Sequence, residues 1–148
     1  MKVLYAGSFD PFTIGHLDIA RRAIALFDHV FIGIGYNENK RGERSVEDRV
    51  NDIKEIFKGS DSITVEAYSG LTSDYAKKIG ADALLRGVRN GMEFENEKEL
   101  ADINLEVLGM PTIMLPARPS LSFVSSSMVR ELSHNGFDVT PYFAKSIK

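Results

Sequence analysis

The sequence predicts a Rossmann-like α/β fold, with a five-stranded parallel sheet covered by helices on both faces. Five short, continuous apolar runs lie along the chain, and such runs are typical of strands that are buried on both sides. The segments between them have apolar residues at the spacing of an amphipathic helix. Because strand and helix alternate along residues 1–148, we expect parallel strands joined by helical crossovers within a single domain.

Each predicted strand is a short apolar run flanked by polar or turn residues. These runs are Lys2–Ala6, Val30–Ile34, Ser62–Ala67, Ala83–Leu85 and Thr112–Leu115. The strands are short enough, and their flanks polar enough, to distinguish them from buried helices.

The predicted helices begin after capping or turn residues, near Thr13, Ser45, Thr72, Glu93 and Ser125. The first two have clear apolar stripes, at Leu17, Ala20, Ile24 and Phe27 and at Val46, Val50, Ile53 and Phe57. The fourth runs to about Leu108 and contains an acidic run, which we interpret as a solvated face, at Glu93, Glu95, Glu97 and Glu99.

Composition excludes several classes of protein. The chain has 148 residues, of which 43% are hydrophobic and 26% charged, so it is neither a disordered tail, a collagen nor a coiled-coil rod. The net charge of −3 argues against a broad nucleic-acid-binding face. The absence of cysteine removes disulfides, thiolate catalysis and Cys-ligated zinc. No apolar stretch is long enough for a membrane span, so we expect a cytoplasmic protein.

In a parallel sheet, ligands bind beyond the carboxyl ends of the strands, so the loops at those ends hold the candidate functional residues. The first such loop, GSFDPFTIGH, ends with Thr13-Ile14-Gly15-His16 at the start of a helix. A helix N-terminus attracts anions, a glycine admits a phosphate close to the backbone, and His16 adds a ring N–H. The alternative is that Thr13 is an ordinary N-cap and His16 a surface histidine.

Two further loops favour phosphate binding. Arg86-Gly87-Val88-Arg89 places two guanidinium groups around a glycine, and such groups bind phosphate in a bidentate manner. The serines of Ser125–Ser127 precede a helix and form a second candidate anion site. The alternatives are a solvated pair of arginines and simple N-capping.

The loop over residues 37–44 contains Lys40 among other charged residues, has one glycine and lacks an apolar anchor. We expect it to be mobile without a ligand, and Lys40 taken alone is interpreted as a solvated charge.

The sequence does not indicate other types of functional site. The chain has no P-loop and no GxSxG elbow, Gly33-Ile34-Gly35 lacks the third glycine of a dinucleotide-binding motif, and no two histidines have metal-ligand spacing.

Together, GSFDPFTIGH, Lys40, RGVRN, the helix containing Glu97 and SFVSSSMVR resemble the phosphopantetheine adenylyltransferase family of bacterial coenzyme A synthesis. The resemblance covers nearly the whole chain. T-x-G-H alone marks the wider nucleotidyltransferase superfamily, whereas R-G-x-R and S-S-S-x-V-R narrow the resemblance to this family.

The resemblance implies a role for each matching residue. His16 would stabilise the transition state at the α-phosphate of ATP, Lys40 and Arg86 would hold the phosphate of 4'-phosphopantetheine, and Thr72 would line that substrate's site. Ser8 would contact both substrates. The residues implied along ATP are Ser8, Phe9, His16, Gly87, Val88, Arg89, Glu97, Leu121, Ser122, Phe123, Val124, Ser125, Ser126 and Ser127. Mg²⁺ would accompany the nucleotide with its ligands unknown, and the protein would be a homohexamer.

Two positions depart from the family pattern. Ser8 stands where the family more often has Thr, and Leu121 replaces a frequently aromatic residue. The rival interpretations are a cytidylyltransferase, a nicotinamide-mononucleotide adenylyltransferase, and a nucleotide-binding regulatory domain without turnover. The combination of His16, Lys40 and Arg86 argues against the last, because a sensor needs no second phosphate clamp.

Overall fold

A computed structural model describes residues 1–39 and 42–145 and confirms the predicted fold class. Its strands are β1 (Lys2–Gly7), β2 (His29–Gly35), β3 (Ile63–Tyr68), β4 (Ala83–Val88) and β5 (Thr112–Pro116). Its helices are α1 (Ile14–Leu26), α2 (Val46–Ile56), α3 (Thr72–Ile79), α4 (Gly91–Glu106) and α5 (Ser126–His134). Two 3₁₀ turns cover Pro119–Leu121 and Thr140–Tyr142.

All strand pairs are parallel, and the strand order is β3-β2-β1-β4-β5. The chain moves outward from β1 to β3 and then crosses back to β4 on the other side of β1. The carboxyl ends of β1 and β4 are therefore adjacent at the point where the strand order reverses. This is the place at which open α/β sheets bind their ligands.

The core lies on both faces of the sheet because side chains of β1 alternate between them. Val3 and Tyr5 belong to a cluster that includes α1 residues such as Leu17. Leu4 and Ala6 belong to a second cluster with Ala76 of α3. Burial on both faces explains why β1 reads as a continuous apolar run.

Some element boundaries differ from those predicted. Phe27 and Phe57 are C-caps just beyond α1 and α2, although both still pack against the core. β4 continues through Arg86, Gly87 and Val88, which the sequence placed in a loop, because these residues pair with β5. The sequence did not indicate this extension, because Arg86-Gly87 is not an apolar run. The extension depends on backbone pairing with β5 rather than on apolar side chains.

α4 also differs from its prediction. It begins at Gly91, where the side chain of Asn90 caps the helix by accepting the backbone N–H of Glu93, and none of its residues is buried. Exposed apolar side chains lie on it or just beyond it, at Met92, Phe94, Leu100, Ile103, Leu105 and Val107. Across the described residues, no helix has both the length and the apolarity needed to cross a membrane.

Candidate active site

Two cavities adjoin at the carboxyl ends of β1 and β4. The first, of about 380 Å³, lies over β1, β4 and the N-termini of α1 and α5. The second, of about 410 Å³, extends from β1 toward β3, α3 and α4. They share lining residues at Ala6, Gly7, Ser8, Arg86 and Glu97. Two molecules that occupy the two cavities would therefore lie next to each other at these shared residues.

Most of the residues expected along a nucleotide line the first cavity. They are Ser8, Phe9, His16, Gly87, Arg89, Glu97, Leu121, Val124, Ser125, Ser126 and Ser127. Val88, Ser122 and Phe123 are not among the lining residues, and Phe123 is exposed with its ring edge-on to Tyr142. Thr72 lines the second cavity. Lys40 lies outside the described residues.

His16 is the third residue of α1 and completes a capping box with Thr13. The backbone N–H of Thr13 donates to Nδ1 of His16, with 3.0 Å between the nitrogen atoms, and the backbone N–H of His16 donates to the Thr13 hydroxyl. Since a backbone N–H can only donate, Nδ1 carries no proton. The ring proton is therefore on Nε2, on the side of the imidazole away from Thr13.

The surroundings of His16 keep the imidazole neutral. Burial, with smaller effects from the positive charges of Arg86 and Arg89, lowers the pKa of His16 from 6.5 to about 3. The ring stacks on Phe12, with centroids 5.5 Å apart, and lies edge-on to Phe9 at 5.0 Å. The structure thus presents a fixed, uncharged N–H donor at the wall of the first cavity.

The turn before α1 is strained at Phe9. This residue has a φ of +47°, a left-handed conformation that bulky residues rarely adopt. Its ring is buried and folds over Gly7, where a Cβ would lie 3.1 Å from the Phe9 ring. Strain of this kind is characteristic of functional turns held in place by their surroundings.

Arg86 is oriented by Glu97. The Nε and Nη2 groups of Arg86 donate to the two carboxylate oxygens of Glu97 at 2.9 and 2.7 Å, and Nη1 donates to the carbonyl of Ala6. Burial acts to lower the pKa of Arg86, but the Glu97 carboxylate outweighs it, so the pKa is raised and the charge is retained. The guanidinium is thereby fixed between the two cavities.

Arg89 has an equivalent partner in Glu93. The carboxylate of Glu93 accepts from the backbone N–H of Arg89 at 3.2 Å and from its Nε at 2.9 Å. The prediction that the acidic run is a solvated face is therefore wrong for Glu93 and Glu97, which face the site, and right for Glu95 and Glu99. Helical spacing was the missed signal, because Glu93 and Glu97 are four residues apart on one face of α4.

The glycines of the site serve different purposes. A Cβ at Gly87 would lie 3.1 Å from Ile19 Cγ1, so packing of β4 on α1 already favours glycine there. A Cβ at Gly15 would meet its nearest protein atom only at 3.5 Å, an ordinary contact distance. Packing within the protein therefore does not require glycine at position 15.

The three serines before α5 make three different contacts. Ser125 caps the helix by accepting the backbone N–H of Met128 at 3.0 Å. The Ser126 hydroxyl donates to the carbonyl of Pro11 at 2.7 Å and ties α5 to the β1–α1 turn. Ser127 accepts a 3.3 Å bond from Arg130. Three serines exceed the needs of capping, and one of them, Ser126, joins the start of α5 to the turn before α1.

Sequence reasoning missed a buried clamp formed by Asp10 and Arg49. The Asp10 carboxylate accepts the backbone N–H groups of Glu43 and Arg44 at 2.8 and 3.2 Å. Arg49 donates to the carbonyl of Ser8 at 2.8 Å and to that of Arg44 at 3.1 Å. The clamp thus connects Ser8 to the second half of the 37–44 loop.

The clamp gives this loop a polar anchor, whereas the sequence indicated only that an apolar anchor is absent. The loop contains no apolar side chain, as predicted. Its backbone at residues 43 and 44 is instead held by Asp10 and Arg49, whose side chains are both more than nine-tenths buried. One signal was present in the sequence. Arg49 lies between Val46 and Ile53 on the apolar stripe of α2, where a charged residue needs a buried partner.

The described residues contain no group of three or more His, Asp or Glu side chains that could hold a metal ion. The carboxylates of Glu93 and Glu97 are instead paired with arginines. The described residues thus offer no preformed protein cage for a divalent cation.

Comparison with known proteins agrees with this geometry. A family model described as cytidylyltransferase-like matches residues 4–132. The phosphopantetheine adenylyltransferase of Flavobacterium psychrophilum is 46% identical to the chain, covering 99% of this chain and 97% of that protein. The enzyme of the same name from Porphyromonas gingivalis is 49% identical, covering 94% and 91%.

Solved structures show the same fold at low sequence identity. A bifunctional NMN adenylyltransferase/ADP ribose pyrophosphatase from Francisella tularensis, complexed with AMP and a manganese ion, has a TM-score of 0.69 at 16% identity. The match covers 96% of this chain and 44% of that longer one. A lipopolysaccharide core biosynthesis protein from Thermoplasma volcanium has a TM-score of 0.55 at 17% identity, covering 80% and 96%. From its matches over nearly full length, the chain belongs to the phosphopantetheine adenylyltransferase family, within the cytidylyltransferase-like proteins.

Proposed function

We propose that this chain transfers the adenylyl group of ATP to 4'-phosphopantetheine by direct in-line attack, forming dephospho-coenzyme A and pyrophosphate. This is the penultimate step of coenzyme A biosynthesis and the reaction of the family to which the chain belongs. The observation that supports the mechanism is the meeting of two cavities at Ser8 and Arg86, since the reaction must bring two anions together.

ATP occupies the first cavity, where the N-termini of α1 and α5 favour its phosphates. 4'-Phosphopantetheine occupies the second, with its phosphate at Arg86 and its arm toward Thr72. A guanidinium has five N–H donors. Glu97 and Ala6 hold three of those of Arg86, so an incoming phosphate can use the other two. Lys40 supplies a further positive charge to the same phosphate.

An oxygen of the acceptor phosphate attacks the α-phosphorus of ATP. The new P–O bond forms as the bond to the β-phosphate breaks, and pyrophosphate leaves with its electron pair. A phosphate monoester has a second pKa near 6, so the attacking group is already largely dianionic at neutral pH. No general base is needed, and the chemistry reduces to positioning and charge stabilisation.

His16 acts on the transition state as a neutral hydrogen-bond donor. Nε2 carries its proton in both charge states of the ring, and the pKa near 3 keeps the ring neutral at working pH. A preorganised donor of this kind costs no reorganisation when negative charge builds up on the α-phosphate. Mg²⁺, carried by the nucleotide, would supply further charge neutralisation.

We further infer a homohexamer in the cytoplasm. The exposed apolar side chains of α4, including Met92 and Ile103, give a second copy a surface to cover. Light scattering during size-exclusion chromatography should give six times the mass of one chain, and Ile103→Glu should lower that mass. A monomeric wild-type chain would contradict this inference.

Pyrophosphate release tests the proposed function. We expect release with ATP, Mg²⁺ and 4'-phosphopantetheine together, and none when either substrate is left out. CTP should not replace ATP, which separates this activity from that of a cytidylyltransferase. No release in the complete mixture, or equal rates with CTP, would refute the assignment.

A further inference from the structure

Tyr68, the last residue of β3, lies in the wall of the second cavity and contacts Thr72 at the start of α3. Its hydroxyl oxygen is 2.8 Å from the hydroxyl oxygen of Thr72. Its ring stacks on Tyr75, with centroids 4.5 Å apart and planes within 3° of each other. The stacking fixes the ring while the hydrogen bond fixes the hydroxyl, so the two hydroxyls form a defined pair at the cavity.

Two glycines of β2 make room for this ring. A Cβ at Gly33 would lie 3.0 Å from Cε1 of Tyr68, and a Cβ at Gly35 would lie 3.1 Å from its hydroxyl oxygen. The Gly33-Ile34-Gly35 segment does not complete a dinucleotide-binding motif. Its glycines are explained by the close approach of Tyr68 to both and by Leu4 Cδ1, which would lie 2.9 Å from a Cβ at Gly33. Because Gly35 also lines the second cavity, the Tyr68 hydroxyl lies at its edge.

We propose that the Tyr68–Thr72 hydroxyl pair selects the acceptor by hydrogen bonding to an amide of its pantetheine arm. The proposal rests on the proposed location of the acceptor in the second cavity. Two hydroxyls bonded to each other use one proton and one acceptor site between them, which leaves one O–H and several lone pairs for a ligand. An amide offers one N–H and one C=O and so satisfies both.

Part of the remaining wall fits a chain that is apolar between its amides, beside the polar Ser73 and Asn104. Leu71, Leu100 and Leu108 line the same cavity and can contact methylene groups. Polar recognition in such a site falls to a few fixed groups, which determine the register of the ligand. Tyr68 and Thr72 fix how far the arm extends and so where its phosphate lies relative to Arg86.

Tyr68→Phe tests the pair, because it removes one hydroxyl and keeps the stacked ring. One hydrogen bond contributes enough that we expect the KM for the acceptor to rise by about 3- to 10-fold. The KM for ATP should stay unchanged. Tyr75→Phe is the matched control, since it removes a hydroxyl from the other stacked ring and leaves the Tyr68–Thr72 bond in place. It should leave the acceptor KM unaltered.

Acceptor analogues give a readout that a merely structural role would not affect. Each arm amide is replaced in turn by an ester, which lacks the N–H. The wild-type chain should discriminate against one of the two esters by about 3- to 10-fold in kcat/KM, and Tyr68→Phe should lose this discrimination.

Three results would overturn the proposal: an unchanged acceptor KM in Tyr68→Phe, an equal rise in Tyr75→Phe, or full retention of ester discrimination by Tyr68→Phe. Wild-type turnover with the parent acceptor is measured first. Its absence would refute the proposed function, so the two failures are distinguishable.

Discussion

His16 has two roles, one on each side of its ring: it accepts a backbone hydrogen bond and, in the proposed mechanism, it donates one to the substrate. Different replacements of His16 test these roles separately. Nδ1 accepts the backbone N–H of Thr13, a residue that is 1% exposed, and Nε2 carries the proton on the opposite side of a ring that lines the first cavity. His16→Ala removes both functions. We expect kcat to fall by roughly 10²- to 10³-fold, the usual loss of about 2.7–4 kcal/mol for one transition-state donor. The chain should still fold, but stability should fall by about 1–3 kcal/mol because a buried N–H loses its acceptor.

His16→Asn and His16→Gln separate these effects. Asn places its side-chain oxygen at the position of Nδ1 and has no group at Nε2, so it should keep near-wild-type stability and show the full loss of kcat. Gln places its amide nitrogen near Nε2 and should recover part of kcat. The ATP KM should change little in all three variants, because the interaction is strongest in the transition state. Steady-state kinetics and urea unfolding measure both quantities. Wild-type kcat in His16→Asn, or a rise confined to the ATP KM, would refute the assigned role.

The remaining predictions address the clamps and the charge state of the site. Arg86→Ala should weaken acceptor binding by about 2 kcal/mol, or roughly 30-fold in Kd, and should weaken ATP binding less. Arg86→Lys should restore acceptor binding only in part. Equal weakening of both ligands in calorimetry would show that Arg86 is not specific to the acceptor site. Because folding lowers the pKa of His16 from 6.5 to about 3, the unfolded chain binds a proton that the folded chain does not, so stability falls as the pH falls below 6.5. Between pH 7 and 5, wild type should lose about 2 kcal/mol more than His16→Asn in urea unfolding, and equal losses would show that His16 is not buried as a neutral ring. Gly42→Ala would place a Cβ 2.5 Å from Asp10 Oδ2, and we expect it to cost about 1–3 kcal/mol of stability and to raise the acceptor KM. Gly91→Ala, whose Cβ meets open space, is its control, and similar behaviour of the two variants would argue against the Asp10 contact.

The fold could be predicted because each element has a local cause in the sequence. The apolar run of β1 and the stripe of α1 reflect burial of those same residues. The strand order could not be predicted, because it depends on which edges meet after the helices pack. The extension of β4 through Val88 was missed for a similar reason, since its pairing partners are in β5.

The site could be predicted in part, where its contacts join residues that are close in the sequence. Thr13 and His16 are three residues apart and form a local capping box, so their spacing indicates a helix start. Asp10 and Glu43 are separated by 33 residues, and their contact exists only in the folded chain. The Tyr68–Thr72 pair is local, but neither residue type indicates a ligand without the cavity beside it.

The stereochemical course at the α-phosphorus tests the direct in-line mechanism most directly. ATP made chiral at the α-phosphorus by substitution with sulfur is converted with 4'-phosphopantetheine, and the configuration of the product is determined by phosphorus NMR. A single displacement between adjoining cavities predicts inversion, because the acceptor oxygen attacks opposite the departing pyrophosphate. Retention would require two displacements through a covalent adenylyl-enzyme and would contradict the account.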